Sequence, residues 1–133
     1  AHCLKRPDCC QVPVPANKYC YRRHCMETGR ELVQRLGLEE GKYTVAFQSR
    51  LGRDPWLSPA TDQTIVDLAK KGVKRLAVIS PAFVADCLET LEEIGMGGKE
   101  EFLHHGGEEY LLVPSLNTHP KWVQALAALL RKV

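Results

Sequence analysis

A short, nearly continuous apolar run at residues 75–80 (Arg-Leu-Ala-Val-Ile-Ser) constrains the fold of this chain more than any other feature. A strand that is apolar at consecutive positions is typical of a parallel sheet, because such strands are covered on both faces. Helical patterns flank the run, one ending at Gly72 and one beginning near Val84. The run therefore predicts a buried parallel strand between two helices.

The rest of the chain repeats this alternation of strand and helix. Further strands are predicted at residues 43–48 and 110–113, which are rich in β-forming side chains. Four helices are predicted: from residue 21 to Gly37, from an N-cap at Ser58 to Gly72, at residues 84–94 and at residues 99–105. A last helix is predicted from a stripe of apolar residues that should face the core, namely Val123, Leu126, Ala127 and Leu130. This order predicts an α/β fold, a parallel sheet with helices on both faces.

Length and charge narrow the class of protein. The chain has 133 residues, 44% of them hydrophobic, which is enough to bury one core. The formal net charge is only +2, so the surface does not have the charge of a nucleic-acid-binding protein. No apolar run approaches the ~20 residues that span a bilayer, so we expect a soluble chain. Because it begins at Ala1 rather than Met, we also expect a processed product or a piece of a longer protein.

Cysteines divide the chain into two parts. Five of the six lie in the first 25 residues, whereas Cys87 stands alone in the second half. The opening also carries several prolines and few large apolar residues, so it cannot become ordered around a core of its own. We therefore predict an irregular cysteine-rich segment at residues 1–21 and an α/β domain at residues 22–133.

The opening cysteines have a spacing that suits a metal site. Cys3, Cys9, Cys10 and Cys20 form the pattern C-x5-CC-x9-C, whose short loops can bring four sulfurs to one centre. Thiolates in such an arrangement bind zinc or an iron–sulfur cluster. Unoccupied thiols and disulfides are the alternatives, and Cys25 competes with Cys20 as the fourth ligand. One function open to the chain is thus that of a nonenzymatic metal-binding or redox module on an α/β domain.

A row of carboxylates is predicted at the edge of the sheet. Ligands bind beyond the carboxyl ends of strands in open parallel sheets, and the segments there are residues 48–57, 80–93 and 114–117. Asp86, Glu89 and Glu93 are spaced i, i+3 and i+7, which predicts one shared helical face. Their repulsion should raise their pKa values, and they could accept protons or pass on a divalent cation. The alternative is a solvated acidic face near a helix N-terminus.

Four motifs occur in these segments in a specific order and spacing. They are Phe47-Gln48-Ser49-Arg50-Leu51-Gly52, then Pro55-Trp56-Leu57 with Pro59 and Thr61-Asp62, then Pro81-Ala82-Phe83 with Asp86-Cys87-Leu88-Glu89-Thr90-Leu91, and finally Ser115-Leu116-Asn117. Together they resemble the C-terminal half of the ferrochelatases, from about residue 21 to the end. The resemblance implies one lobe of a two-lobed α/β fold, in a lyase that inserts ferrous iron into protoporphyrin IX to form haem.

The resemblance also assigns roles to individual residues. It implies that Glu89 is the catalytic acidic residue, on a helix that is locally wide in the family. It implies a metal relay of Asp86, Cys87 and Glu93, with Cys87 at a position where other members often have histidine. It assigns porphyrin contacts to Gln48, Ser49, Trp56 and Phe83. For the two aromatic residues in that set, the alternative is ordinary core packing.

The resemblance has further implications for partners and cofactors. The family's Ser-x-His segment is expected upstream of Ala1 in an N-terminal lobe of the same protein, so the chain alone should fold but not chelate. The opening resembles the insert of bacterial ferrochelatases with a two-iron two-sulfur cluster, which favours that cluster over zinc at Cys3, Cys9, Cys10 and Cys20. Haem synthesis is intracellular, so we expect a cytoplasmic protein in which disulfides are disfavoured.

Some implications are left open at this point. Peripheral membrane association and a homodimer are both compatible with the resemblance. A cobalt or nickel chelatase of related fold is a second enzymatic alternative.

Overall fold

A computed structural model of the chain describes residues 8–48 and 56–132. The chain divides into two compact units, Ala1–Thr61 and Asp62–Val133. Cys3 and Ser49, which the sequence singled out, lie outside the described residues. The predicted division at residues 21 and 22 separates a cysteine-rich segment from an α/β domain, and it stays a prediction.

The first unit contains helix α1, Tyr21–Leu36, preceded by a single 3-10 turn at Pro15–Asn17. Helix α1 ends as predicted at Gly37, whose φ of 65° is a left-handed conformation that glycine adopts without steric cost. A Cβ atom on Gly29 would lie 2.8 Å from Val45 Cγ2, so glycine allows the helix to approach this segment closely.

The strand predicted at residues 43–48 is wrong in its extent. Pairing there is reduced, within the described residues, to an isolated parallel bridge between Phe47 and Ala60. The Phe47 N–H donates to the Pro59 carbonyl at 2.9 Å, and the Thr61 N–H donates to the Phe47 carbonyl at 3.1 Å. The β-forming side chains favour extended backbone, but a strand needs a partner along its length.

The same pairing delays the next helix. Helix α2 is Thr61–Lys70, so the prediction of an N-cap at Ser58 is wrong. The residues before Thr61 take part in the bridge instead of the first helical turn. Its C-terminal signal is confirmed, since Gly72 has a φ of 89°.

Two parallel strands confirm the α/β class. Strand β1, Arg75–Val78, pairs with strand β2, Glu109–Leu112, with Leu76 opposite Tyr110. Both lie within one or two residues of the predicted positions. Their parallel register places the carboxyl ends of β1 and β2 side by side.

The core of the second unit lies beside these strands. Phe102 is fully buried with Ile65 and Ala69. Tyr110 packs against this cluster, with its ring centroid 5.9 Å from that of Phe102. Its hydroxyl donates to the Ile94 carbonyl at 2.7 Å, and burial raises its pKa to about 12. These contacts fix the helical segment around Ile94 against β2.

The helix predicted at residues 84–94 begins later and is wider than an ordinary α-helix. It is a π-helix, Glu89–Gly97, that runs directly into helix α3, Gly98–His104. Gly95, Gly97 and Gly98 lie between the two helices predicted at residues 84–94 and 99–105, where glycine predicts a break. All three are inside the continuous helical segment, so the predicted break is wrong. A Cβ on Gly98 would lie 2.7 Å from the Tyr110 hydroxyl oxygen, so glycine here serves close packing rather than termination.

The last helix is present as predicted, but its apolar stripe is not buried. Helix α4 is Pro120–Leu130. Val123 is 50% exposed and Leu130 is 67% exposed, so the prediction that this stripe faces a core is wrong for the chain as described. Every helix within residues 8–48 and 56–132 is too short or too polar to span a lipid bilayer.

Candidate active site

The loops that follow β1 and β2 meet at one edge of the sheet. The Val113 N–H donates to the Val78 carbonyl at 2.8 Å, so the two chain segments are still adjacent where the strands end. Beyond that point the Asn117 N–H donates to the Val84 carbonyl at 2.8 Å. The prediction that segments 80–93 and 114–117 lie close together is therefore confirmed. Segment 48–57 belongs to the first unit, and its predicted place at this edge stays a prediction.

Asp86 joins the two loops through its carboxylate and its backbone. Its Oδ2 accepts a hydrogen bond from Asn117 Nδ2 at 2.7 Å, and its Oδ1 accepts one from the Ser115 N–H at 3.2 Å. Its own N–H donates to Asn117 Oδ1 at 2.9 Å. The hydrogen bonds from Asn117 and then Ser115 lower the pKa of Asp86, because they stabilise the charged form.

Thr90 links this pair of loops to the first turn of the π-helix. Its hydroxyl oxygen accepts a hydrogen bond from the Cys87 N–H at 2.9 Å. The hydroxyl proton has two acceptors in reach, the Cys87 carbonyl at 3.0 Å and Asp86 Oδ1 at 3.3 Å. Thr90 is only 1% exposed, so these hydrogen bonds satisfy a buried group. The start of the π-helix is thereby tied to Asp86.

Glu89 stands on this first turn and is partly exposed. A hydrogen bond from Cys87, followed by one from the backbone N–H of Glu89, lowers the pKa of its carboxyl group. The expectation that repulsion raises the pKa values of this row is therefore wrong for Asp86 and Glu89. Hydrogen bonds to the charged forms set the direction of both shifts, because they stabilise the ionised carboxylates. Glu89 is consequently an ionised carboxylate at neutral pH.

The three carboxylates do not share one helical face. Asp86 precedes the π-helix and its carboxylate contacts the loop after β2. Glu89 and Glu93 do lie on the π-helix, next to the buried Thr90 and Ile94. The wide helix itself agrees with what the family resemblance implied. The relay through Asp86, Cys87 and Glu93 stays a prediction.

The predicted porphyrin contacts are placed only in part. Phe83 is half-buried in the turn after β1, where its N–H donates to the Ser80 carbonyl at 3.0 Å. In the first unit, Trp56 is 50% exposed and its indole N–H donates to the Gln48 carbonyl at 3.2 Å. Ordinary core packing therefore does not account for Trp56. The binding role of these residues stays a prediction.

Two of the four predicted metal-binding cysteines lie side by side. The Sγ atoms of Cys9 and Cys10 are 3.8 Å apart, and both residues are buried. A tetrahedral centre with metal–sulfur bonds of about 2.3 Å separates its sulfurs by about 3.8 Å, so this spacing fits two ligands of one metal. Arg22 donates to Cys10 Sγ at 2.8 Å. Burial raises the pKa of the Cys10 thiol, and Arg22 opposes that effect.

The other cysteines do not complete a site in the described structure. In residues 8–48 and 56–132, no group of three or more His, Cys, Asp or Glu side chains could hold a metal ion. The five cysteines described there are free thiols. Cys25 lies on α1, where a hydrogen bond with its sulfur raises the pKa of Tyr21. The roles of Cys3 and Cys20 stay predictions.

Comparison with known proteins decides the family. The sequence model for ferrochelatase matches residues 9–133. The chain belongs to the ferrochelatase family. It is 53% identical over 131 residues to the ferrochelatase of Azotobacter vinelandii, 51% identical over 132 residues to that of Pseudomonas putida, and 52% identical over 131 residues to that of Bdellovibrio bacteriovorus. Each match covers 98% of this chain but only 39% of the relative's length.

The structure adds residues to this candidate site that sequence reasoning left without a role. Asn117 and Ser115 belong to a recognised motif, but their hydrogen bonds to Asp86 were not predicted. The available signal was an amide side chain that follows a strand at the same edge as the acidic segment. Asn17 and Arg22 carried no comparable signal, since their partners lie in an irregular segment.

Proposed function

We propose that this chain supplies the proton-accepting part of a lyase, a ferrochelatase that inserts ferrous iron into protoporphyrin IX to form haem. The observation that carries the proposal is the environment of Glu89. Its pKa is lowered by the Cys87 and backbone hydrogen bonds, at a place where two loops meet beyond the parallel strands. Ionised carboxylates at such an edge suit proton transfer and a hard cation.

The reaction requires a base on the protein. Two pyrrole N–H bonds break, two protons leave, and iron(II) forms bonds to the ring nitrogens without a change of oxidation state. Glu89 accepts one of these protons on its carboxylate, and the other proton passes to solvent water. Since hydrogen bonds hold its pKa low, the base is in its ionised form over the neutral pH range.

We propose Cys87 and Glu93 as relay residues beside Glu89. Asp86 belongs to the same predicted relay, although hydrogen bonds within the chain already occupy both of its carboxylate oxygens. For the walls of the porphyrin site we propose Gln48, Ser49, Trp56 and Phe83. The partial exposure of Trp56 and Phe83 supports contact with a flat apolar ring.

The test uses a chimera in which this chain replaces the 131 matched residues of the Azotobacter vinelandii ferrochelatase. Glu89→Gln removes the base at constant size, and we expect kcat for iron insertion to fall by roughly 100-fold or more. Glu92→Gln is the matched control on the same helix and should retain activity. Equal loss in both variants, or none in Glu89→Gln, would reject the role of Glu89. Cobalt and nickel insertion measured in parallel separates this proposal from a chelatase for those metals.

We also propose that Cys3, Cys9, Cys10 and Cys20 hold a two-iron two-sulfur cluster, with zinc as the alternative occupant. The support is the 3.8 Å separation of the Cys9 and Cys10 sulfurs and the buried position of both. Bound metal would order the opening segment by joining thiolates that are distant in the sequence. Protein purified anaerobically after iron-replete expression should be coloured and carry about two irons and two sulfides. Colourless protein with one zinc would reject the cluster.

The remaining partners are proposed from the family. They are protoporphyrin IX, ferrous iron and an N-terminal lobe that completes the cleft in a cytoplasmic enzyme. The chain alone should then fold without chelating. Insertion by the chain at the rate of the chimera would reject the requirement for that lobe. Peripheral membrane association and homodimerisation stay predictions.

A further inference from the structure

The hydrogen bonds between Asp86 and Asn117 form a clamp that the proposed reaction does not use directly. Asn117 donates to Asp86 through its side chain, accepts from the Asp86 N–H, and donates to the Val84 carbonyl through its backbone. The Ser115 N–H adds a further bond to Asp86. Four hydrogen bonds thus join the segment before the π-helix to the loop after β2.

We propose that Asn117 is a positioning residue for Glu89, because it holds Asp86 and thereby fixes the start of the π-helix. This inference rests on the proposed function of Glu89. Asp86 is three residues before Glu89 in the sequence, and Thr90 directly follows Glu89. Thr90 contacts Asp86 and Cys87 with its buried hydroxyl, so displacement of Asp86 reaches the turn that carries Glu89.

The chemistry of asparagine fits this position better than that of other side chains. A carboxamide offers a donor and an acceptor at once, and the clamp uses both. Asn117 also has a φ of 46°, a left-handed conformation that asparagine tolerates better than most residues. An aspartate at this position would lack the donor and would place a second negative charge against Asp86.

The clamp is separate from the core of the second unit. That core consists of Phe102, Ile65 and Ala69 with the side chains packed on them, and it includes neither Asp86 nor Asn117. Loss of the clamp should therefore disturb the site more than the fold. A displaced catalytic group lowers kcat while substrate binding remains, so kcat should fall and KM should change little.

The first test compares Asn117→Ala with Thr118→Ala, a truncation at the next position of the same loop, in the chimera defined above. We expect roughly 10- to 100-fold loss of kcat in Asn117→Ala at unchanged KM, with no comparable loss in Thr118→Ala. Hydrogen exchange of residues 84–90 should become faster in Asn117→Ala only. Unchanged exchange and unchanged kcat in Asn117→Ala would overturn the proposal.

The second test exchanges the two side chains. In the double variant Asp86→Asn, Asn117→Asp, every hydrogen bond of the clamp keeps one donor and one acceptor, while the charge leaves position 86. We expect the double variant to regain the slow hydrogen exchange of residues 84–90 that Asn117→Ala loses. A folded double variant whose exchange stays fast would overturn the proposal.

The two tests separate this inference from the proposed function. If Glu89→Gln retains full activity, the role of Glu89 fails, whereas hydrogen exchange still reports whether Asn117 holds residues 84–90. In the double variant, slow exchange with a low kcat would support the predicted relay role of the Asp86 charge beside the positioning role of Asn117, whereas slow exchange with a restored kcat would support the positioning role alone.

Discussion

Different kinds of internal contact stabilise the two compact units of the chain. In Asp62–Val133, a parallel pair of strands packs beside an apolar core that is centred on Phe102. In Ala1–Thr61, the buried residues include Cys9, Cys10 and the polar Asn17. Apolar burial thus stabilises the second unit, whereas hydrogen bonds around a buried pair of cysteines hold the opening of the first.

Asn17 shows how the opening is organised without an apolar core. Its side chain donates to the Cys9 carbonyl at 2.6 Å and to the Val12 carbonyl at 2.9 Å. Its Oδ1 accepts a hydrogen bond from the Val14 N–H at 2.9 Å. At 2% exposure, one asparagine therefore satisfies three backbone groups around the cysteine pair.

We expect the largest effect from removal of one of the proposed metal-binding thiolates in the first unit. Cys9→Ser should abolish the bound metal, because a hydroxyl replaces one of the thiolate ligands. Iron, zinc and sulfide analysis with the visible spectrum measures the loss. Cys87→Ser is the matched control in the second unit and should retain the full metal content. Equal metal content in both variants would show that Cys9 is not a metal ligand.

The next effect breaks the apolar core of the second unit. Phe102→Ala removes a fully buried ring, and we expect a loss of about 3–5 kcal/mol in the free energy of unfolding. Leu103→Ala, at the exposed neighbouring position, should cost much less. Urea unfolding followed by circular dichroism measures both. A similar cost for the two variants would contradict the placement of the core.

A smaller loss is expected when the hydrogen bonds of the first unit are removed. Asn17→Ala leaves three backbone groups without their partner, which should cost about 1–3 kcal/mol. Gln11→Ala, an exposed truncation in the same segment, is the control. Hydrogen exchange at residues 9–17 reports the local effect. Unchanged exchange in Asn17→Ala would show that the polar contacts do not order the opening.

The smallest expected effect is a change in the pH dependence of the stability of the second unit, to which the hydrogen bonds of Asp86 contribute. The folded-state pKa of Asp86 is lowered, so its stabilisation is present above the unfolded pKa of about 3.9 and is lost as the pH falls through the folded value. Asn117→Ala removes the first cause of that shift. The variant should therefore lose less stability on acidification than the unsubstituted chain. Parallel acid-unfolding curves would contradict the role of this hydrogen bond.

Sequence reasoning was most successful where burial and helix ends are encoded locally. The apolar run gave β1, and Gly37 and Gly72 marked helix ends through their left-handed conformations. It failed where long-range pairing decides the outcome. Ser58 has the chemistry of an N-cap, yet the bridge between Phe47 and Ala60 moves the helix start to Thr61.

The candidate site shows the same limit. The motif containing Asp86 and Glu89 was identified from the sequence, but helical spacing placed both carboxylates on one face. The structure instead uses Asp86 to join two loops, because Asn117 is 31 residues away in sequence and adjacent in space. Helical periodicity contains no information about such a partner. The π-helix was likewise expected only from the family resemblance, since glycine normally signals a helix end.

Glu89 is proposed as the base that accepts a porphyrin proton. Single-turnover insertion of ferrous iron into bound protoporphyrin tests it most directly, because product release does not limit the observed rate. In the chimera, Glu89→Gln should slow this step by roughly 100-fold or more while thermal stability is retained. A single-turnover rate in Glu89→Gln equal to that of the unsubstituted chimera would contradict the account.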